Sequence, residues 1–276
     1  MRVANYININ GVTVPAGQAK AYSNSAFRYG VGLFETILIL DGEIMLWQYH
    51  QSRLLIGMHV LGFKLPETIA QKPLEDHILD VVRKNSLLSR CKLRLQVFSE
   101  NGSFGHTDNT IFIAECFEVD PSVPALNETG LKLGYAQGIV KSFDSLANLK
   151  TTSALGYSIA AHQAKTNGWD DALLFNQHRN IIETSIANIF WVKERTIFTP
   201  PLSEGCIAGT MRRYLLDHLP DAGFSVIEQP LTKEILKSAD AAFLTNAIRR
   251  IKWIRSIDDT EYDMGIIPDI AKKLLS

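Results

Sequence analysis

Residues 36–47 place the tightest constraint on the fold that this chain can adopt. Two apolar runs, Ile37 to Leu40 and Ile44 to Trp47, flank an Asp41-Gly42 pair. Such a pair between apolar runs predicts a β-hairpin, because both residues tolerate the positive φ of a tight turn. Directly afterwards, from Gln48 to Leu61, apolar residues recur with the period of a helix. The chain therefore combines hairpins with helices, which favours an α+β fold.

The rest of the pattern predicts two domains. Strands are expected at 92–98 and 110–117, after which a stretch rich in Asp, Pro, Asn and Glu interrupts all periodicity. Such composition is typical of a linker. We predict an N-terminal domain over 1–118, a linker over 119–127 and a C-terminal domain over 128–276. The C-terminal domain is expected to have strands at 131–140, 171–175, 187–192, 195–199, 224–229 and 241–245, and helices at 153–167, 210–219, from 232 and after 268.

Charge and composition narrow the functional classes. Apolar residues make up 46% of the chain and the formal net charge is −1, so nucleic acid and membrane surfaces are not expected partners. No apolar run approaches the roughly 20 residues that cross a bilayer, and the N-terminus lacks the pattern of a signal peptide. Three widely spaced cysteines are typical of reduced thiols. We expect a cytoplasmic protein. None of the seven histidines has metal-ligand spacing, so no metal is expected.

A glycine-bearing loop before a predicted helix, Gly209-Thr210-Met211-Arg212, is a candidate phosphate site. The first N–H groups of a helix and its positive dipole end bind anions. The alternative is a plain turn in which Gly209 provides a positive φ. Arg53 pairs naturally with phosphate or carboxylate, and the alternative, which its residue type favours when taken alone, is a guanidinium lying along the surface of its helix. Thr245-Asn246, at the end of an apolar strand, offers polar groups to a ligand or closes a turn.

Two further residues frame the C-terminal domain. Lys150 stands at the head of the predicted helix 153–167, and Glu183 lies between two apolar strands. Reasoning from the residues alone stops at a two-domain protein with a candidate phosphate site.

The order and spacing of these segments resemble the class IV aminotransferases, which use pyridoxal 5'-phosphate (PLP). This family includes branched-chain and D-amino-acid aminotransferases and 4-amino-4-deoxychorismate lyase. The resemblance runs through six segments: residues 27–36, the Arg53 helix, Leu149-Lys150, residues 182–188, Gly209-Thr210-Met211-Arg212 and residues 243–247. It implies a two-domain fold of type IV, with a small N-terminal α/β domain and a larger C-terminal domain containing a barrel-like sheet.

The resemblance also implies a role for each candidate residue. Lys150 would hold PLP as a Schiff base and move the substrate Cα proton. Glu183 would keep the cofactor's ring nitrogen protonated. The cofactor phosphate would be held by Arg53, the amides of Thr210 and Met211, Thr245 and Asn246. A small amino-group substrate and a homodimer are expected by the same analogy.

Departures from the family pattern bear on the substrate. Branched-chain enzymes carry a Tyr five residues after the lysine, where this chain has Leu155, with Tyr157 two residues further on. Residues 99–106 lack the Arg and Tyr of many lyase-like members, and Val31 replaces a frequent Asp. The segments at 209–212 and 245–247 look more like the lyase branch. Candidates for binding a substrate carboxylate are Arg28, Arg249 and Arg250.

The leading hypothesis is a PLP enzyme acting at the Cα of a small amino compound, with chemistry like that of aminodeoxychorismate lyase. Its alternatives are a branched-chain or D-amino-acid aminotransferase and a PLP-binding member without turnover. A plain interaction domain without a cofactor requires the motif order to be coincidental.

Overall fold

The computed structural model describes residues 6–9, 12–15 and 23–275. The first two strands, β1 (Tyr6–Ile9) and β2 (Val12–Pro15), pair antiparallel as a separate two-stranded sheet. The Asn10-Gly11 turn expected between them lies outside the described residues. None of the helices in the described ranges has the length and apolar character needed to span a bilayer.

The predicted Asp-Gly hairpin is confirmed and begins a four-stranded antiparallel sheet. Strands β3 (Gly32–Leu40) and β4 (Glu43–Ile44) meet at a turn in which Asp41 and Gly42 have φ of 48° and 82°. Strand β4 is shorter than expected, because Leu46 takes a left-handed conformation and a helix begins at Trp47. Strands β5 (Arg90–Ser99) and β6 (Thr110–Glu118) complete the order β4-β3-β5-β6.

Helices cover one face of this N-terminal sheet. They are α2 (Trp47–Leu61), α3 (Glu67–Gln71) and α4 (Leu74–Lys84), whereas α1 (Ser25–Tyr29) contacts the end of β5 through Ser25, whose hydroxyl accepts a hydrogen bond from the Ser99 N–H. Alternate residues of β5, such as Leu93 and Leu95, are fully buried against α2 and α4. Because side chains alternate along a strand, Lys92 and Arg94 point from the opposite face. That face is turned towards the C-terminal half of the chain.

The C-terminal half is built on a second sheet that closes into a barrel. Its strands are β7 (Leu131–Lys141), β8 (Asp171–Asn176), β9 (Ile181–Thr184), β10 (Asn188–Lys193), β11 (Thr196–Thr199), β12 (Ser225–Glu228), β13 (Ala241–Asn246), β14 (Arg250–Ile257) and β15 (Thr260–Glu261). Six of them follow the order β10-β13-β14-β7-β8-β9, and β9 returns to β10 through the pair Glu183–Asn188. The expected mixed fold with a barrel-like sheet is confirmed. Strand β14 was not predicted.

Helices α5 (Leu155–Asn167), α6 (Thr210–His218), α7 (Lys233–Lys237) and α8 (Ile267–Leu275) accompany the barrel, with a short 3₁₀ helix at Leu202–Glu204. Both faces of its strands are buried: Phe190 packs in a cluster with residues of α6 and α8, and the next residue, Trp191, packs in a different cluster. Strand β6 ends at Glu118 and β7 begins at Leu131. The proposed domain limits at 118 and 128 remain a prediction.

Candidate active site

A cavity of about 660 Å³ lies between the two sheets. The exposed face of the N-terminal sheet forms one wall, and loops at the ends of the barrel strands form the other. The cavity is lined by six of the seven residues that the sequence singles out: Arg53, Lys150, Glu183, Thr210, Thr245 and Asn246. The seventh residue, Met211, lies in the first turn of α6, and its side chain is buried in a hydrophobic cluster. Only the backbone N–H of Met211 is therefore available to a ligand.

Lys150 lies in an extended segment, since α5 begins only at Leu155. Its carbonyl accepts a hydrogen bond of 3.0 Å from the Phe34 N–H, and the Thr152 N–H donates to the Gly32 carbonyl at 2.9 Å. These bonds attach the lysine to β3 of the N-terminal sheet. The expectation of a lysine at the head of a helix is therefore wrong, because pairing with β3 keeps this segment extended.

The environment of Lys150 favours the neutral amine. Burial lowers the pKa of Lys150 to about 8, with a further contribution from the positive charge of Arg53. The carboxylates of Glu35 and Glu183 oppose this shift. The amine also lies 4.4 Å from the centroid of the Phe34 ring. A lysine with a pKa near neutrality can act as both nucleophile and proton carrier.

Glu183 is buried on β9 and accepts hydrogen bonds at both carboxylate oxygens. Oε1 accepts from Lys141 Nζ at 2.6 Å and from the Tyr157 hydroxyl at 2.7 Å. Oε2 accepts from the Ile207 N–H at 2.9 Å and from Asn188 Nδ2 at 3.5 Å. These donors keep the carboxylate fixed at the edge of the cavity. Sequence reasoning noted Tyr157 but missed Lys141 as a partner.

Arg53 is held from β3 and from the loop before α6. Its Nε and one terminal nitrogen donate to the two oxygens of Glu35 at 2.8 and 2.5 Å, and the other terminal nitrogen donates to the Ala208 carbonyl at 2.9 Å. Since a guanidinium has five N–H groups, two remain for a ligand. Arg53 is thereby held next to the start of α6, as a phosphate site requires.

The carboxylate that orients Arg53 is fully buried. His50 Nδ1 lies 2.6 Å from Glu35 Oε2, completing a group of three side chains. Burial raises the pKa of Glu35, but the charges and hydrogen bonds of Arg53 and His50 outweigh burial and lower it to about 2. Glu35 therefore stays ionised and holds Arg53 in place. The sequence showed Glu35 only as part of a family motif, with no sign of this role.

Gly209 has a φ of −65°, so the idea that it provides a positive φ is wrong. A Cβ at this position would lie 1.9 Å from Asn188 Oδ1. The glycine is required because the backbone before α6 passes against the Asn188 side chain. This close approach leads into the first N–H groups of α6, which have no partner within the helix.

Thr245 and Asn246 differ in what they offer to a ligand. Thr245 Oγ1 is buried and has no hydrogen-bond partner among the described residues. The Asn246 side chain accepts from the Ile248 and Arg249 N–H groups and donates to the Ile186 carbonyl. Its amide therefore stabilises the turn after β13, and Thr245 is the better candidate for contact with a ligand.

The side chains of β5 that line the cavity are cationic, whereas Glu118 and Asp120, at and just beyond the end of β6, line it with acidic groups. Lys92 and Arg94 line the cavity, and the Arg94 guanidinium lies 4.2 Å from the centroid of the Phe34 ring. Of the arginines suggested by sequence, Arg249 also lines the cavity. Arg28 is exposed and donates to the Gly102 carbonyl, and it does not line the cavity. Arg250 begins β14 and is likewise not among the lining residues.

The buried Glu35 should make stability depend on acid pH. Its pKa is lower in the folded protein, about 2 against 4.5, so its contribution is fully present above pH 4.5 and is lost as pH falls towards 2. The contribution amounts to roughly 3 kcal/mol. We expect Glu35→Gln to be less stable than wild type at pH 7 by about 3 kcal/mol or more, and to lose this part of the acid dependence.

Urea unfolding measured between pH 7 and pH 3 would check this expectation. Asp80→Asn is the control, because Asp80 forms an exposed ion pair with Lys72 and exposed pairs contribute little. A Glu35→Gln protein whose stability falls with acid as steeply as that of wild type would contradict the assignment.

Comparisons of sequence agree with this geometry. The family model described as amino-transferase class IV matches residues 32–257. An aminodeoxychorismate lyase from Vibrio harveyi is 25% identical over 240 residues, covering 86% of this chain and 86% of that protein. A putative branched-chain-amino-acid aminotransferase from Methanocaldococcus jannaschii is 29% identical over 275 residues, covering 97% of this chain and 93% of that protein.

Comparison of structure gives the same result. The crystal structure of a putative 4-amino-4-deoxychorismate lyase from Legionella pneumophila superposes with a TM-score of 0.80 and 26% identity, covering 91% of this chain and 92% of that chain. The expected fold of type IV is confirmed. The family match runs through both sheets and includes every residue that lines the cavity. The chain thus belongs to the class IV aminotransferases, a family of enzymes.

Proposed function

We propose that this chain binds PLP covalently at Lys150 and acts at the Cα of a small amino-group substrate, with chemistry like that of aminodeoxychorismate lyase. The observation that carries the proposal is the shared cavity. It brings together an amine with a lowered pKa, a fixed carboxylate, and an arginine beside a helix N-terminus.

The residues of the cavity fit the parts of PLP. Arg53, with two spare N–H groups, and the first amides of α6 would hold the phosphate. The buried, unpartnered hydroxyl of Thr245 gains a bond if it joins them. Glu183 would accept from the ring nitrogen. Bound PLP supplies a ring that withdraws electrons from the substrate Cα.

The protein's own groups would carry the proton. With a substrate in the cavity, Lys150 Nζ would accept the Cα proton and would deliver it to another atom. Its pKa of about 8 suits both directions of transfer near neutral pH. With PLP bound, delivery of the proton away from Cα would give amino-group transfer, whereas departure of a leaving group from the substrate would give a lyase.

The cationic wall supports a substrate with more than one carboxylate. Lys92 and Arg94 point into the cavity from adjacent positions on one face of β5, with Arg249 also among the lining residues. Arginine and lysine bind carboxylates through charge-assisted hydrogen bonds. Aminodeoxychorismate carries two carboxylates, as does a dicarboxylic amino donor. A plain branched-chain amino acid carries one and leaves part of this wall unused.

A homodimer expected from the family resemblance remains a prediction, as does a member that binds PLP without turnover. A branched-chain or D-amino-acid aminotransferase is the alternative activity, in keeping with the relative from M. jannaschii.

Covalent binding of PLP can be tested directly. We expect wild-type protein incubated with PLP to develop visible absorption that borohydride removes, with the reduced cofactor found by mass spectrometry on the peptide containing Lys150. Lys150→Ala should lose the label. Lys165→Ala, on the exposed side of α5, should keep it. A label on another lysine, or no label on wild type, would refute the proposed attachment.

The reaction can be assigned by following substrates separately. We expect aminodeoxychorismate to be consumed with release of pyruvate. The alternative predicts instead that branched-chain or D-amino acids are consumed with 2-oxoglutarate or pyruvate as acceptor. PLP that binds but responds to no substrate would indicate the member without turnover.

The role of the cationic wall predicts a selective effect of Arg94→Gln. Losing one charge-assisted hydrogen bond should raise KM for the carboxylate substrate about 10- to 100-fold and leave the Kd of PLP nearly unchanged. Arg28→Gln is the matched control, because Arg28 lies outside the cavity lining, and its KM should change by less than about twofold. Equal effects of the two substitutions would argue against carboxylate binding at β5.

A further inference from the structure

Lys141 contacts the site without a part in the function proposed above. It is the last residue of β7, and its amine forms an ion pair of 2.6 Å with Glu183 Oε1. Only 15% of the Lys141 side chain and 4% of the Glu183 side chain are exposed. The ion pair is thus largely shielded from water. In such a buried environment a unit charge acts more strongly on its neighbours than it does at the surface.

The other groups around Glu183 are neutral or more distant. Burial and then the Glu183 charge raise the pKa of the Tyr157 hydroxyl, so it donates as a neutral group. Burial and Glu183 raise the pKa of Cys206 to about 12, so the thiol is protonated. Asn188 and the Ile207 N–H donate without charge. Lys150 acts on Glu183 through its charge, and no hydrogen bond joins them among the described residues.

Glu183 and Lys141 together therefore carry no net charge. A carboxylate stabilises a proton on a neighbouring nitrogen through its negative charge. A cation in direct contact with that carboxylate cancels part of this effect and also repels a protonated ring. Three donors lie within 2.9 Å of the two oxygens and Asn188 Nδ2 lies at 3.5 Å, so about one of the four acceptor positions remains for a ring nitrogen. A ring nitrogen would therefore bind to a carboxylate that is already neutralised.

We propose that Lys141 is a positioning residue that limits how strongly Glu183 can hold a proton on the ring nitrogen of bound PLP. This inference rests on the proposed function. Because a protonated ring withdraws electrons more strongly, Lys141 sets the strength of electron withdrawal at the substrate Cα. If Lys141 only stabilised the fold, its removal would lower the free energy of unfolding and leave the titration of the ring nitrogen unchanged.

The test follows the ring nitrogen itself. PLP labelled with ¹⁵N in the ring is bound to each protein, and the ¹⁵N chemical shift is recorded across a pH titration. In Lys141→Met, we expect the midpoint of ring-nitrogen titration to rise by about one pH unit or more, because a contacting cation has been removed. Lys141→Gln keeps a hydrogen-bond donor without the charge, and it should raise the midpoint in the same direction.

Two controls separate charge from structure. Lys141→Arg retains the cation and should titrate like wild type. Lys193→Met removes a lysine that pairs with Asp240 at 2.9 Å, on a strand end away from the cavity lining, and should also leave the midpoint unchanged.

The outcomes separate this inference from the proposal on which it rests. If wild type binds PLP and neither charge-removing variant shifts the midpoint, Lys141 has no such role, while the proposed cofactor stands. The same conclusion follows if the midpoint of Lys141→Arg moves as far as that of Lys141→Met. If labelled PLP binds to none of the proteins, the proposed function fails and this inference fails with it.

Discussion

The buried ion pair between Glu35 and Arg53 is the interaction on which the site depends. Glu35 lies on β3, Arg53 on α2, and the third contact of Arg53 is the Ala208 carbonyl just before α6. One guanidinium thus joins the N-terminal sheet, its covering helix and the barrel. Two buried charges are costly to remove from water, and the close pairing with additional hydrogen bonds offsets that cost.

Charged side chains on several sides of the cavity are held by hydrogen bonds to neighbouring elements. Arg53 is fixed by Glu35, and Glu183 by Lys141 and Tyr157, in each case from another element. Such support reduces the rotational freedom that a ligand would otherwise have to restrict on binding. The site is therefore largely preformed by the packing of the two sheets, before any ligand arrives.

Patterns of a few neighbouring residues predicted most of the helices and strands. The Asp41-Gly42 hairpin and the alternation of β5 follow from residues a few positions apart, and both are found in the structure. Strand β14 was not predicted because Arg250, Lys252 and Arg255 interrupt its apolar residues. The candidate site residues were first singled out by residue type and position, the family resemblance implied their roles, and the structure brings six of the seven to one cavity.

Other parts of the site could not be predicted from local signals. Lys141 reaches Glu183 only because β7, β8 and β9 are neighbours in a closed barrel. The alternation of β5 places Arg94 opposite the core, but whether that face meets solvent or a cavity depends on how the two sheets pack. The need for glycine at 209 depends on the distant Asn188 side chain, which no local pattern of residues 203–212 reveals.

The backbone pairing of Lys150 with β3 has a mechanical consequence. The lysine is bonded through its backbone to the N-terminal sheet, whereas Glu183 lies on β9 of the barrel. A small rotation of one sheet relative to the other therefore changes the span between the two groups, even when neither side chain alters its rotamer. Substitutions in the packing between the two halves, remote from the cavity, would therefore alter reactivity by changing the distance between Lys150 and Glu183.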